Sequence, residues 1–262
     1  MKFRCERDLL VDALNIASKA VTNRGTLPVL HGLRLDLSSN ELVITGSDLD
    51  LTITVSLEVG GEKNGVTVVP AKLLADVVRA VEPGAVDITA EDTNLHVVAG
   101  RSEFSLRTIP KDEYPNFEEP TTSPVTVDGE SLVRALEQVT PAASSDDSRP
   151  ILTGVYMVAE KKGFRLVATD SYRLAVRDMP DASLLEGQPP ILVPSRALTE
   201  LARLIEPNDE VSLHLSDREA SFVVKNVRMT TRLIDGEFPD YQRLVPDSNP
   251  NKLTANRGEL FD

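Results

Sequence analysis

At 262 residues the chain exceeds one average domain and suits two, each large enough to bury a core of its own. Its composition, 41% hydrophobic and 26% charged without a tryptophan, excludes a fibrous or disordered chain. No run of about 18 apolar residues offers a membrane span, and MKFRCERDLL lacks a signal-peptide core, so a cytoplasmic protein is expected. A formal net charge of -13 argues on its face against a nucleic-acid partner, yet an acidic exterior can surround a basic lining, so distribution decides rather than the sum. Cys5 is the only cysteine, which rules out an intrachain disulfide and reads as a buried structural thiol.

In chain order, Leu10, Ala13, Leu14, Ala17 and Val21 follow the 3.6-residue period of an amphipathic helix. LPVLHGLRLDL from Leu27 and LVITGSDLDLTI from Leu42 read as strands, with the LPVL stretch taken as extended. A second helix is expected through Leu73, Leu74, Val77, Val78 and Val81, halted by Pro83, which lacks an amide proton and disfavours helix before it. The alternating VDIT and LHVV segments follow as strands. PNFEEPTTSP, from Pro115 to Pro124, suits an extended linker. The same order then starts again: a helix through Leu132, Val133, Leu136 and Val139, a PILT strand, RLVAT, a helix through Leu198, Leu201, Ala202 and Ile205 stopped by Pro207, and VSLHL.

This recurrence is an internal repeat. LPVLHGLRLDL matches RPILTGVYMVA from Arg149, LVITGSDLDLTI from Leu42 is aligned with LVATDSYRLAV from Leu166, and VPAKLLADVVRAVEP matches VPSRALTELARLIEP. Pro28 and Pro150 are 122 apart, and Pro83 and Pro207 are 124 apart. The expected fold class is therefore α+β with tandem duplicated domains, each with two helices covering one face of an antiparallel sheet. The boundaries read as residues 1-120, residues 121-248, and residues 249-262 as the beginning of a truncated third copy, since KLTANRGELFD again opens like a strand, a turn and a helix.

Catalysis lacks a constellation. His31, His96 and His214 show no metal-ligand spacing, and there is neither a phosphate loop nor a GxSxG elbow. Asp48 and Asp50, read as alternating along a strand, form the one pattern able to bind a divalent metal, and the repeat is taken to replace them with Tyr172 and Leu174; a solvated sheet face is the competing reading. No metal and no cofactor are therefore expected. Lys72 and Arg79 lie two helical turns apart, as do Arg196 and Arg203. Arg134 and Lys19 add charge to the other helices, and Arg24 and Arg149 precede the matched strands. Taken singly these are solvated helix faces; repeated in two units they become a periodic line of positive charge.

TLPVL at Thr26 to Leu30, VPAKLL, VPSRAL, ATDSYRLA from Ala168 and GEFPDYQRLVP from Gly236 carry a resemblance, over the whole length, to the bacterial beta sliding clamp family, the beta subunit of DNA polymerase III. The resemblance implies a DNA clamp fold with helices lining a concave face, three domains per full chain, and a head-to-tail homodimer ring around double-stranded DNA that has no catalytic activity of its own. It places Arg24, Lys72, Arg79, Arg149 and Arg196 near the phosphates. It also implies a pocket for linear motifs of the polymerase III alpha subunit, the clamp loader and other polymerases and repair proteins, lined by Leu152, Thr169, Ser171, Tyr172, Arg173, Leu174, Pro239, Arg243 and Leu244. The family pattern has Gly-His where this chain has Ser171-Tyr172. A metal-dependent nucleic-acid enzyme and a protein-binding repeat scaffold stay open as alternatives.

Overall fold

The structure, a computed structural model, describes residues 1–22, 27–161, 163–180, 185, 187–245 and 248–261. The first unit runs β1 (Lys2–Glu6), α1 (Arg7–Ala17), β2 (Gly32–Ser38), β3 (Glu41–Ser47), β4 (Leu51–Glu58), β5 (Gly60–Lys63), β6 (Gly65–Pro70), α2 (Ala71–Ala80), β7 (Ala85–Glu91), β8 (Asn94–Ala99) and β9 (Ser102–Arg107). The second runs β10 (Val125–Asp128), α3 (Gly129–Val139), β11 (Gly154–Glu160), β12 (Gly163–Thr169), β13 (Leu174–Pro180), β14 (Ile191–Pro194), α4 (Ser195–Leu204), β15 (Glu210–Leu215), β16 (Glu219–Val224) and β17 (Val227–Arg232). A short helix, α5 (Arg257–Phe261), follows, and Lys252–Thr254, expected as a strand, forms none.

Each unit contains two antiparallel sheets rather than the one expected. In the first unit β1-β7-β8-β9 makes one, with β5 on the far side of β1, and β4-β3-β2-β6 makes the other; in the second unit β10-β15-β16-β17 and β13-β12-β11-β14 repeat that order strand for strand. The units then join edge to edge. β17 pairs antiparallel with β4, setting Thr231 against Leu51, Met229 against Ile53 and Val227 against Val55, so an eight-stranded sheet crosses from one repeat into the other. Five consecutive residues of β4, Leu51 to Val55, are buried, as befits a strand inside a sheet with both faces covered.

The helices obey their spacing except at Leu73 of α2, which is exposed. Leu10, Ala13, Leu14 and Ala17 of α1 are buried, as are Leu74 and Val78 of α2, Leu132, Leu136 and Val139 of α3, and Leu198 and Leu201 of α4. Within each unit the two helices pack on each other, and α1 lies over β3 and β4 as α3 lies over β12 and β13. Gly46 of β3 allows this close approach, because a Cβ there would collide with the Ala17 carbonyl at the end of α1. Val21 falls beyond α1, which tightens into a 3-10 turn over Ser18–Ala20, and Val81 and Ile205 are extended residues just past α2 and α4.

Two further expectations change. The stretches read as LPVL and PILT strands are 3-10 turns, Pro28–His31 and Pro150–Thr153; a proline with fixed φ and no N–H suits the start of a turn and not a ladder. The repeat register also shifts. β2 sets Leu35 against Ile44 and β11 sets Met157 against Leu166, so Ile44, not Leu42, matches Leu166, and the 122-residue offset holds through both hairpins.

The linker, Pro115 to Pro124, has no regular structure but is pinned along its length. Before it, Tyr114 is buried with Val29, Leu30 and Val68 and donates from its hydroxyl to the Thr45 carbonyl at 2.9 Å. Phe117 meets the Tyr114 ring edge-on, Glu119 pairs with Arg228 at 2.8 Å, and the Thr122 carbonyl lies 2.7 Å from His214 Nδ1.

Candidate functional site

The acidic pair does not form the strand pattern expected for a metal. Asp48 and Asp50 lie in the turn between β3 and β4, where Asp48 Oδ1 accepts from the backbone N–H groups of Asp50 (3.2 Å) and Leu51 (2.8 Å), and Leu49 adopts φ 78°. Both hairpin turns hold four residues between a closing pair, Ser47 with Thr52 and Thr169 with Leu174, so Asp48 corresponds to Asp170 and Asp50 to Tyr172. The hydrogen bonds agree: Asp170 Oδ1 accepts from Tyr172 and Arg173 N–H, each at 2.9 Å, with Ser171 at φ 80°. The expected match of Asp48 to Tyr172 and Asp50 to Leu174 is thus two residues out of register. Among the described residues no group of three or more His, Cys, Asp or Glu side chains could hold a metal ion. Burial pushes the Cys5 thiol up to about 12, which removes it as a nucleophile at neutral pH.

Lys72 and Arg79 lie on α2 and Arg196 and Arg203 on α4, and the helices pack in pairs within each unit. α2 packs on α1, and Arg79 of α2 donates to Asn15 of α1 at 2.8 Å. Arg196, in the first turn of α4, reaches back into the first unit, pairing with Asp48 at 2.6 Å and donating to the Lys19 carbonyl at 3.4 Å. α4 then packs on α3. A cleft of about 560 Å³ between α1 and α2 is bordered by Asn15, His31, Lys72, Leu73 and Arg79. A groove of about 730 Å³ at the seam is bordered by Asp50, Asp147, Arg196, Glu200, Arg203 and Arg232.

Most of these cations carry an acidic neighbour: Arg79 has Asp76 at 3.3 Å, Arg149 has Asp146 at 3.0 Å, Arg203 has Glu200 at 2.6 Å, and Arg134 has Glu130. Lys72 is exposed and has no ion-pair partner among the described residues. Arg24 lies outside the described residues. Arg149 borders neither the α1–α2 cleft nor the seam groove, and its guanidinium lies 3.4 Å from the Ser171 hydroxyl.

The second group of candidate residues gathers about the β12–β13 hairpin. Thr169 is buried, donating to the Arg173 carbonyl (2.8 Å) and accepting from Ser171 N–H (3.1 Å). Arg173 pairs with Asp170 at 2.9 Å, whereas Tyr172 at the turn is 94% exposed. Strand alternation places Thr169, Leu174, Val176 and Tyr156 on one face of β13-β12-β11, because Thr169 pairs with Leu174 and Val167 with both Val176 and Tyr156.

The segment after β17 folds onto that face: Phe238 stacks on Tyr156 at 5.0 Å between centroids, and Tyr241 meets both rings edge-on at 6.5 Å. It carries Pro239 and Arg243, both exposed, Arg243 paired with Asp240 at 2.8 Å. The Leu244 side chain lies outside the described residues. Leu152 is buried in its 3-10 turn next to Ile151, against which Gly236 of the same segment is pressed. Val176, Tyr156 and Tyr241 were missed from sequence, although two-residue spacing from Leu174 along β13 pointed to Val176.

Comparison with known proteins bears on both groups. The N-terminal-domain and central-domain models of the DNA polymerase III beta subunit match residues 1–118 and 126–240. A beta sliding clamp from Streptomyces coelicolor is 36% identical over 257 residues, covering 94% of this chain and 67% of that protein. One from Staphylococcus epidermidis is 30% identical over 272 residues, covering the whole chain and 72% of that protein. The crystal structure of the Bacillus subtilis DNA polymerase sliding clamp superimposes with a TM-score of 0.90 at 29% identity, covering 95% of this chain and 68% of that one. The DNA polymerase III beta subunit of Pseudomonas aeruginosa does so with 0.88 at 31% identity, covering 95% and 69%.

Proposed function

The chain belongs to the DNA polymerase III beta subunit family, the beta sliding clamps, and on that premise we propose which of its residues face DNA and which receive partners. Its function is that of a DNA sliding clamp that confers processivity on the polymerase, and it has no chemistry of its own to perform. The observation that supports the site assignment is the bridge across the β4–β17 seam, where Arg196 of α4 meets Asp48 and the Lys19 carbonyl just past α1, while α1 packs on α2, which carries Lys72 and Arg79. In this reading Arg24, Lys72, Arg79, Arg149 and Arg196 lie near duplex phosphates in a cytoplasmic protein, and residues 1-120 and 121-248 are the two domains.

Phosphate attraction carries no base information, so such a wall holds a duplex without reading it. Acidic neighbours on Arg79, Arg149 and Arg196 weaken the attraction further, which favours movement along DNA over tight binding. Retention then comes from ring closure, for which full-length chains pair head to tail.

The face carrying Thr169, Leu174 and Val176, with Leu152, Ser171, Tyr172, Arg173, Pro239, Arg243 and Leu244 around it, forms one wall of the seat for linear motifs of the alpha subunit, the clamp loader and repair polymerases. Leu174 and Val176 offer apolar contact, Tyr172 an aromatic anchor, and Arg173 and Arg243 charge for peptide carboxylates or carbonyls.

Replacing Lys72, Arg79, Arg149 and Arg196 together by Gln is expected to flatten the salt dependence of duplex binding by as much as about 0.9 for each phosphate that is no longer neutralised. An unchanged salt slope would assign these residues to protein scaffolding instead. Duplex degraded on incubation with the protein and magnesium would point to a nuclease.

A further inference from the structure

The duplication supplies an internal comparison for the cleft between α1 and α2. The seam groove is the same cleft in the second unit: Thr153 stands 122 residues after His31, and Arg196, Glu200 and Arg203 stand 124 after Lys72, Asp76 and Arg79. Those are the offsets that relate Pro28 to Pro150 and Pro83 to Pro207. A cation, an acid and a second cation thus recur at the same helix positions along one side of each cleft.

The two clefts differ in what their polar groups have to bond. In the second, Arg196 is taken by Asp48 at 2.6 Å, Arg203 by Glu200 at 2.6 Å, and the Thr153 hydroxyl donates to the Pro150 carbonyl at 2.7 Å. In the first, Lys72 is exposed without an ion-pair partner among the described residues, and the Arg79–Asp76 pair is looser at 3.3 Å. His31 Nε2 and the Ser18 hydroxyl oxygen, on two residues that border this cleft, are enclosed and have no hydrogen-bond partner among the described residues. Enclosed polar atoms are normally bonded, so two orphans beside one cleft call for a bonding group from outside. That group must bring acceptor oxygens, since an ammonium can only donate, and negative charge, since the free side chain that borders the cleft is a cation.

We infer that the α1–α2 cleft is a seat for one phosphate group and that the seam groove is its duplicate, closed by its own ion pairs. Lys72 anchors the phosphate, Arg79 flanks it, and His31 and Ser18 turn their free groups to its oxygens. The seam groove takes a phosphate only after Arg196 gives up Asp48. The inference deepens the reading above by naming the place where phosphate is held first; that the phosphate belongs to a duplex rests on that reading, whereas the seat itself does not.

An NMR titration of the whole chain with inorganic phosphate, from about 1 to about 100 mM at fixed pH and constant ionic strength, tests it. His31, His96 and His214 are the only histidines, so the imidazole spectrum holds two internal controls, and the amides of Ala75 and Thr199 report on matched positions of the two clefts. His31 and Ala75 are expected to shift saturably while His96 and His214 stay still, and Thr199 to follow only at about fivefold higher concentration or more. Lys72→Gln is expected to raise the first midpoint by about fivefold or more, and Arg203→Gln to leave it unchanged. Equal midpoints at Ala75 and Thr199 would overturn the closed duplicate, and a His31 signal that never moves would overturn the seat. A short duplex in place of phosphate separates the sources. The same His31 and Ala75 shifts assign the seat to backbone phosphate; a duplex that binds without them removes the backbone as its ligand and leaves the clamp reading intact; phosphate shifts from a chain that binds no duplex keep the seat and sink that reading.

Discussion

Ser171 holds φ 80°, a conformation natural to glycine, on the second residue of the Asp170 turn, and Leu49 holds φ 78° on the matching residue of the first unit. The turn imposes this geometry because Asp170 Oδ1 must reach two successive N–H groups. Ser171→Gly is therefore expected to raise stability by about 0.5–1 kcal/mol, the relief of strain exceeding the entropy that glycine adds to the unfolded chain. Urea denaturation checks this, and a lower midpoint would mean the serine is unstrained. The same N–H groups, Arg173 first and then Tyr172, hold the Asp170 carboxyl at about 2, below its ordinary 3.8. A depressed folded value stabilises above 3.8, so this contribution is complete at neutral pH and is lost as pH falls from about 3.8 toward 2. A carboxyl-carbon NMR titration of Asp170 with a midpoint near 3.8 would refute the turn as described.

Between elements, the tolerance for a single methyl group differs in the two repeats. Gly46 sits under the Ala17 carbonyl with no room for a Cβ, whereas its counterpart at the same offset, Ala168, carries one in a fully buried position. Gly46→Ala is expected to cost about 2–3 kcal/mol by forcing α1 off β3, and Ala168→Gly only about 1 kcal/mol. Thermal melts of the two variants separate the cases; equal losses would mean that α1 and α3 sit alike. The sequence made the helices legible because period and proline stops act locally, and the duplication legible because three blocks recur in order. It misplaced the turn by two residues because Leu-Val occurs at Leu42 and again at Leu166, and only the ladder register tells which pairing is real. The β4–β17 pairing joins residues 51–55 to residues 227–231, a contact no local pattern encodes, although the five buried residues of β4 are its trace. Among the site residues, Lys72, Arg79 and Arg196 were readable from helical spacing, but the Asp48 partner of Arg196 was not, because the pair is 148 residues apart.

At the scale of the whole molecule, the Arg196–Asp48 pair decides how far the seam and the proposed phosphate contact compete for one guanidinium. The Asp48 carboxylate is nearly enclosed, with one oxygen held by backbone donors and the other by Arg196, so losing Arg196 strands a buried charge, whereas losing Asp48 frees an exposed cation. A double-mutant cycle of Asp48→Asn and Arg196→Gln is expected to give a coupling of about 1–2 kcal/mol in thermal or urea unfolding. Additivity within about 0.3–0.5 kcal/mol would remove the pair from the seam. Duplex binding supplies the complementary reading. If Arg196 leaves Asp48 to meet phosphate, Asp48→Asn strengthens binding at low salt while Arg196→Gln weakens it, and both differences fade as salt screens the backbone. If Arg196 belongs to the seam alone, both variants loosen the junction and neither changes the salt slope. Arg79, Arg149 and Arg196 each carry an acidic partner, so a grip on the duplex through them would stay weak in either case, since each of these guanidinium groups must first leave a carboxylate of the protein's own to reach a phosphate.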